Sequence, residues 1–197
     1  MAAVEEQHEQ HEQLDQRAQL EQRALLDQMA LLLVELFAQK QLTLALAESC
    51  TAGLVSDLIA GVSGASAVLW GSFLCYSPDA KAKMLGIEKE ALDRYPLVSG
   101  EIALAMAQHA LDKAQVPVAA SVTGLAGPGG DGSSVPVGTV WTAVASAVPD
   151  AAGKDSFRVK EHHFTGTRAE IRMKAAYAVL DELHVFCSDN CAAKRLD

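Results

Sequence analysis

The chain has 197 residues, half of them hydrophobic, enough for one globular domain with a sizeable core and an appended tail but not for two full domains. Its 25 acidic side chains outnumber 16 basic ones, giving a formal net charge of −9. That balance argues against a broad nucleic-acid-binding face, which needs clustered Lys and Arg. No apolar run approaches the roughly 20 residues needed to cross a bilayer, and the polar N-terminus lacks the apolar stretch of a signal peptide. The expectation is a cytoplasmic protein that binds neither nucleic acid nor membrane.

Residues 1–24 are rich in Gln, Glu and His with few apolar positions, too little to offset the entropy of ordering them. They read as a frayed helix or a disordered arm. A helical stripe follows at Leu25, Leu26, Met29, Leu32, Leu33, Leu36 and Phe37, spaced to pack on the core. The main domain is expected over 25–186, with a tail at 187–197. The stripe exceeds what a marginal tail needs, so a homodimer or higher homo-oligomer is expected.

The apolar run Leu44 to Ala47 has strand length and breaks into Glu48, Ser49, Cys50 and Thr51, after which helical spacing resumes at Leu54, Val55, Leu58 and Ile59. Such a strand, turn and helix places small hydroxyls beside the unpaired N–H groups of the helix start, where an anion or oxyanion is stabilised. Either Ser49 or Thr51 can instead be the helix N-cap, a role both residue types fill often. A second strand spans Val68 to Tyr76. Ser77 then caps a helix with Pro78 at its first position, Lys81 projects from the first turn, and Gly86 closes it. Glu88 to Arg94 is a short charged helix. Ser99 caps a longer one whose Ile102, Met106, Ala110 and Leu111 face the core.

Val116 to Thr123 is a further strand, interrupted by the glycine-rich loop Gly124 to Ser134. That loop can cradle a phosphate or ribose with its N–H groups, or it can be a plain connection; it matches neither the P-loop nor the dinucleotide fingerprint. A strand from Gly138 to Ala147, a polar loop around Asp150 to Asp155, and an edge strand from Phe157 to Phe164 come next. Thr167 and Glu170 form a capping box for the last helix, with Ile171, Ala175, Ala178, Val179 and Leu183 buried. Strands alternating with helices predict a single-domain α/β/α sandwich, a mixed sheet flanked by helices, with sites at the C-terminal ends of strands.

The four cysteines, Cys50, Cys75, Cys187 and Cys191, contain no CxxC pair and are expected as free thiols. His184, Cys187 and Cys191 lie close in sequence without a strong ligand spacing, so no metal is expected. The six histidines form no HExxH-type pattern. A Lys near a Ser becomes a general base only when desolvation or a neighbouring cation holds it neutral.

AESCTAG at 47–53, CYSPDAKAKMLGI at 75–87, LVSGEIALAMA at 97–107, and SVTGLAGPGGDG with VPVGTVW within 121–141 resemble the CinA C-terminal family. The resemblance runs over about 26–185, with the motifs in family order. It implies a nicotinamide-mononucleotide amidohydrolase of the kind tied by name to competence-damage proteins, working without a cofactor. Carried over by position, Ser49 is the nucleophile, Lys81 the base, and Tyr76 orients or polarises the pair. Backbone N–H groups at Cys50 and Thr51 would hold the oxyanion. The Thr123 to Pro128 loop, with Thr123, Gly124, Ala126 and Gly127, would hold the nucleotide; on charge alone, Arg172 or Arg168 at the start of the last helix is the candidate for its phosphate. Two positions depart from the pattern: Ala52 replaces a glycine beside the nucleophile, and Gly100 replaces a glutamate. Many members carry a larger N-terminal domain; without one here, the resemblance is to the stand-alone form, which is the expectation. The rival expectation is a nucleotide-binding or regulatory module of the same fold with impaired turnover, and a third is a structural partner that assembles through the first helix.

Overall fold

Strand β1 (Leu44–Glu48) alternates large and small apolar residues, and that alternation sets the layering of the molecule. Leu44 and Leu46 join a core built with α1 (Ala2–Lys40), α2 (Leu54–Ala60) and α6 (Arg168–Asn190). Ala45 and Ala47 face the opposite layer, dominated by α5 (Gly100–Ala114) with Ile102 and Met106. The computed structural model describes residues 2–148 and 156–190. The polar loop expected at 150–155, and Cys191 with the rest of the tail, lie outside the described residues.

The sheet has the order β2-β1-β3-β4-β5, with β2 (Leu69–Leu74), β3 (Val118–Gly124), β4 (Thr139–Ser146) and β5 (Ser156–His163) around β1. β1 runs parallel to β2 and β3, whereas β3–β4 and β4–β5 are antiparallel. The result is the mixed-sheet α/β/α sandwich expected, with β5 at an edge. Every residue of β1 is buried because helices cover both faces of this central strand.

Several local expectations hold in detail. Ser77 Oγ accepts from the Ala80 N–H with Pro78 at the first position of α3 (Pro78–Ala80), and Gly86 closes the following turn at φ 77°. Ser99 caps α5. Thr167 and Glu170 make reciprocal bonds, Thr167 N to Glu170 Oε2 at 2.6 Å and Glu170 N to Thr167 Oγ1 at 3.3 Å. All five residues expected on the inner face of α6 are buried.

The stripe on α1 is narrower than its leucines suggest. Leu26, Ala30, Leu33, Val34 and Phe37 are buried, whereas Leu25 and Leu32 are exposed. The helix meets α6 and α2 along one line, and these two leucines flank that line. The backbone of 2–24 continues the same helix. Gly100 begins α5 hard against β4: a Cβ there would stand 2.9 Å from Trp141 Cζ3. With Trp141 in that place, the glutamate of the family pattern does not fit without a shift.

Candidate active site

The C-terminal ends of β1 and β2 bring the chemistry together. Ser49 follows β1 directly and its N–H donates to Val122 O, while Cys75 N donates to Glu48 O, so the two strand ends are locked side by side. Lys81 comes from the turn after Ser77 and Pro78, at the head of a π-helical segment, Lys81–Leu85. Widened turns of this kind recur at functional sites because they re-aim side chains that an α-turn would place elsewhere. Here the Lys81 side chain is turned inward and is only 2% exposed. Its Nζ lies 3.1 Å from Ser49 Oγ and 2.9 Å from Cys75 O.

Lys81 makes no ion pair among the described residues, and burial lowers its pKa from 10.5 to about 8. About a tenth of the amine is therefore neutral at pH 7 and about half at pH 8. In its protonated form Nζ donates to Ser49; once neutral, the same contact lets Ser49 donate to Nζ, the alignment a general base requires. Cys50 and Cys75 flank the amine. Burial pushes the Cys50 thiol up to about 12 and raises Cys75 as well, so both remain neutral thiols and neither competes as nucleophile.

The turn after Ser49 is organised by a residue that sequence reasoning passed over. The buried carboxylate of Glu48 accepts from Thr51 Oγ1 (2.8 Å), from the N–H groups of Gly53 (3.0 Å), Val55 (3.1 Å) and Ser56 (3.0 Å), and from Ser72 Oγ (3.2 Å). This corrects the expected capping: neither Ser49 nor Thr51 caps α2, whose N-cap is Gly53 in the left-handed region. The first N–H groups of α2 already hold an internal anion and are not open to a substrate. A buried acid at a strand end, followed at once by small polar residues, was the available signal. Its backbone partners lie up to eight positions ahead and Ser72 lies 24 ahead, beyond the reach of capping-box rules.

Ala52 adopts φ 51°. The left-handed region disfavours any residue with a Cβ, so the alanine that replaces the family glycine strains this turn by about 1 kcal/mol. The Thr51 carbonyl beside it accepts from Arg172 Nη2 at 2.7 Å. Arg172 thus braces the turn that follows Ser49, and the structure does not bring it into the cavity.

The cavity beside Ser49 has a volume of about 240 Å³. Its lining joins Ser49, Cys50 and Lys81 to the residues Thr123 to Ala126, to Leu97 and Val98, and to Tyr76, Pro78, Asp131 and Arg168. Arg168 bridges its mouth: Nη1 donates to Gly127 O at 2.6 Å and Nη2 to the Tyr76 hydroxyl at 2.7 Å. Tyr76, 60% exposed, meets Arg168 and not the Ser49–Lys81 pair. Thr123 Oγ1 donates to Leu97 O, tying β3 to the segment before α5. Gly127 contributes its carbonyl to Arg168. Thr51 is fully buried behind the turn.

The family model of the CinA C-terminal domain matches residues 26–187, which hold all five strands of the sheet and every cavity residue named above. The chain belongs to the CinA C-terminal domain family. A "CinA-like protein" of Syntrophomonas wolfei is 41% identical over 140 residues, covering 71% of this chain and 32% of that relative. A "putative competence-damage inducible protein" of Caldicellulosiruptor saccharolyticus is 43% identical over 150 residues, covering 76% and 35%. The chain spans about a third of the length of the curated relatives it matches. The crystal structure of a competence/damage inducible protein from Agrobacterium tumefaciens superposes with a TM-score of 0.74 at 34% identity, covering 81% of this chain and 94% of that one. A CinA superfamily structure from Klebsiella pneumoniae, at 22% identity and a TM-score of 0.77, shares the fold.

Proposed function

We propose that this CinA-family chain is an amidohydrolase that converts nicotinamide mononucleotide to nicotinate mononucleotide and ammonia through Ser49 and Lys81. The observation that carries the reading is the buried Lys81 Nζ, 3.1 Å from Ser49 Oγ with no carboxylate to hold its proton. Neutral Lys81 accepts the Ser49 proton as Oγ bonds to the carboxamide carbon, and the carbonyl electron pair moves onto oxygen. The N–H of Ser49 is spent on Val122 O and Thr51 is fully buried, which leaves the N–H of Cys50, a cavity residue, to hold the oxyanion. The protonated lysine then gives its proton to the leaving nitrogen, the C–N bond breaks and ammonia departs. Water, deprotonated by the same amine, hydrolyses the ester. Thr123 to Gly127 face the nucleotide, and Arg168, already at the cavity mouth, takes the phosphate by exchanging its Tyr76 and Gly127 bonds for phosphate oxygens.

The rival reading is a binding module disabled by Ala52. Against it, the Ser49–Lys81 contact forms in spite of the strained turn. Purified protein incubated with nicotinamide mononucleotide, with product followed by chromatography, separates the two. The amidase yields nicotinate mononucleotide. Calorimetric binding without product favours the module, and restoration of turnover by Ala52→Gly would then assign the defect to that turn.

A further inference from the structure

Among the described residues, no carboxylate pairs with Lys81. The side chains facing its amine are the neutral thiols of Cys50, from the β1–α2 turn, and Cys75, from the end of β2. Across the cavity stand Tyr76, Arg168 of α6, and Asp131 on the glycine-rich loop, whose carboxylate accepts from Ser133 N and Oγ. On the far side of the π turn, His109 of α5 meets Leu85 O and Lys113 lies beside Gly86. The Glu48 carboxylate is turned towards α2 and filled by its five donors. A charge placed beside Ser49 therefore meets the buried Lys81 inside a cavity of about 240 Å³, where the protein screens it less than bulk water would.

The proposed substrate carries such a charge. Nicotinamide in its mononucleotide is an N-substituted pyridinium, a ring with a full positive charge bonded to the carboxamide carbon that Ser49 attacks. Attack requires Oγ to stand about 3–3.5 Å from that carbon, and Nζ is 3.1 Å from Oγ. The ring is thereby delivered to the vicinity of the ammonium. We infer that the positive charge of the bound pyridinium ring expels the proton from Lys81, so that the substrate itself generates the base. The inference rests on the amidase reading above. The proton leaves to solvent, Lys81 is left as the free amine, and no other co-reactant is needed. Two positive charges in one low-dielectric cavity disfavour the protonated amine, as neighbouring cations do for other catalytic lysines. The same coupling discriminates against uncharged amides of the same shape, because they leave Lys81 protonated.

The test compares nicotinamide mononucleotide with its 1,4-dihydro form, which keeps the carboxamide, ribose and phosphate but has a neutral ring. The ring charge also activates the carbonyl, so proton release, not rate alone, is the readout. Binding of each nucleotide to Ser49→Ala, which permits no turnover, is measured calorimetrically at pH 7 in buffers of different ionisation enthalpy. Phosphate protonation is common to both ligands and cancels in the comparison. The charged ring is expected to release about a third of a proton or more per site in excess of the neutral one, the amount for a shift of about one unit in a group that titrates near pH 8. Lys81→Met in the same background is expected to abolish that excess. In the wild type, the acid limb of kcat is expected about one unit below that of kcat/KM. Equal proton release by the two nucleotides, with wild-type turnover intact, would overturn the coupling and leave the amidase reading standing. Failure of the wild type to turn over the charged nucleotide would overturn both.

Discussion

Lys81 is held where an ammonium is poorly solvated, and the fold bears the cost whenever that amine is charged. Its folded pKa of about 8 lies below the 10.5 of the unfolded chain. Between those values the unfolded state binds more protons, so this contribution to stability rises from pH 8 to 10.5 and the penalty is complete below 8. Lys81→Met, which fills the same space without a charge, is therefore expected to raise the urea midpoint at pH 7, with a gain of up to about 3 kcal/mol. The difference from wild type should shrink as the pH approaches 10. A destabilised Lys81→Met protein at pH 7 would mean that the bonds to Ser49 and Cys75 outweigh the desolvation.

At the scale of elements, the strand–turn–helix from Leu44 to Ala60 depends on Glu48. Glu48→Ala leaves three backbone N–H groups and the hydroxyls of Thr51 and Ser72 without their acceptor, and a loss of about 3 kcal/mol in denaturant unfolding is expected. Ala52→Gly should act the other way, gaining about 0.5–1 kcal/mol by relieving φ 51°; no gain would show that the turn carries no strain. Some of this level was legible in the sequence because the devices are local. Ser77–Pro78, Ser99 and Thr167–Glu170 cap helices through partners three residues away, and each was readable as a short pattern. The Glu48 cap was not, since its donors are presented only after β1, α2 and Ser72 of β2 have come together.

At the scale of the whole molecule, the alternation of strands and helices predicted the sandwich, while the order β2-β1-β3-β4-β5 had no local signature. Periodicity shows which face of an element is buried and not which neighbour covers it. For the same reason Arg168 and Arg172, one helical turn apart, looked equivalent. Only contacts spanning 92 and 41 residues, to Tyr76 and Gly127, set Arg168 at the cavity, and one spanning 121 residues sends Arg172 to Thr51. Among the described side chains, burial on α1 begins at Leu26, and the cavity draws on residues from Ser49 to Arg168. Deletion of residues 1–21 is accordingly expected to leave kcat/KM within about twofold of the full chain; a larger loss would give the arm a part in the site. The most direct measurement of the central claim is ammonia release from nicotinamide mononucleotide across a pH series, with wild type, Ser49→Ala and Lys81→Met side by side. The account predicts a wild-type kcat/KM that climbs with pH and levels above about 8, and no release above background from either variant. Undiminished release from Ser49→Ala would contradict it.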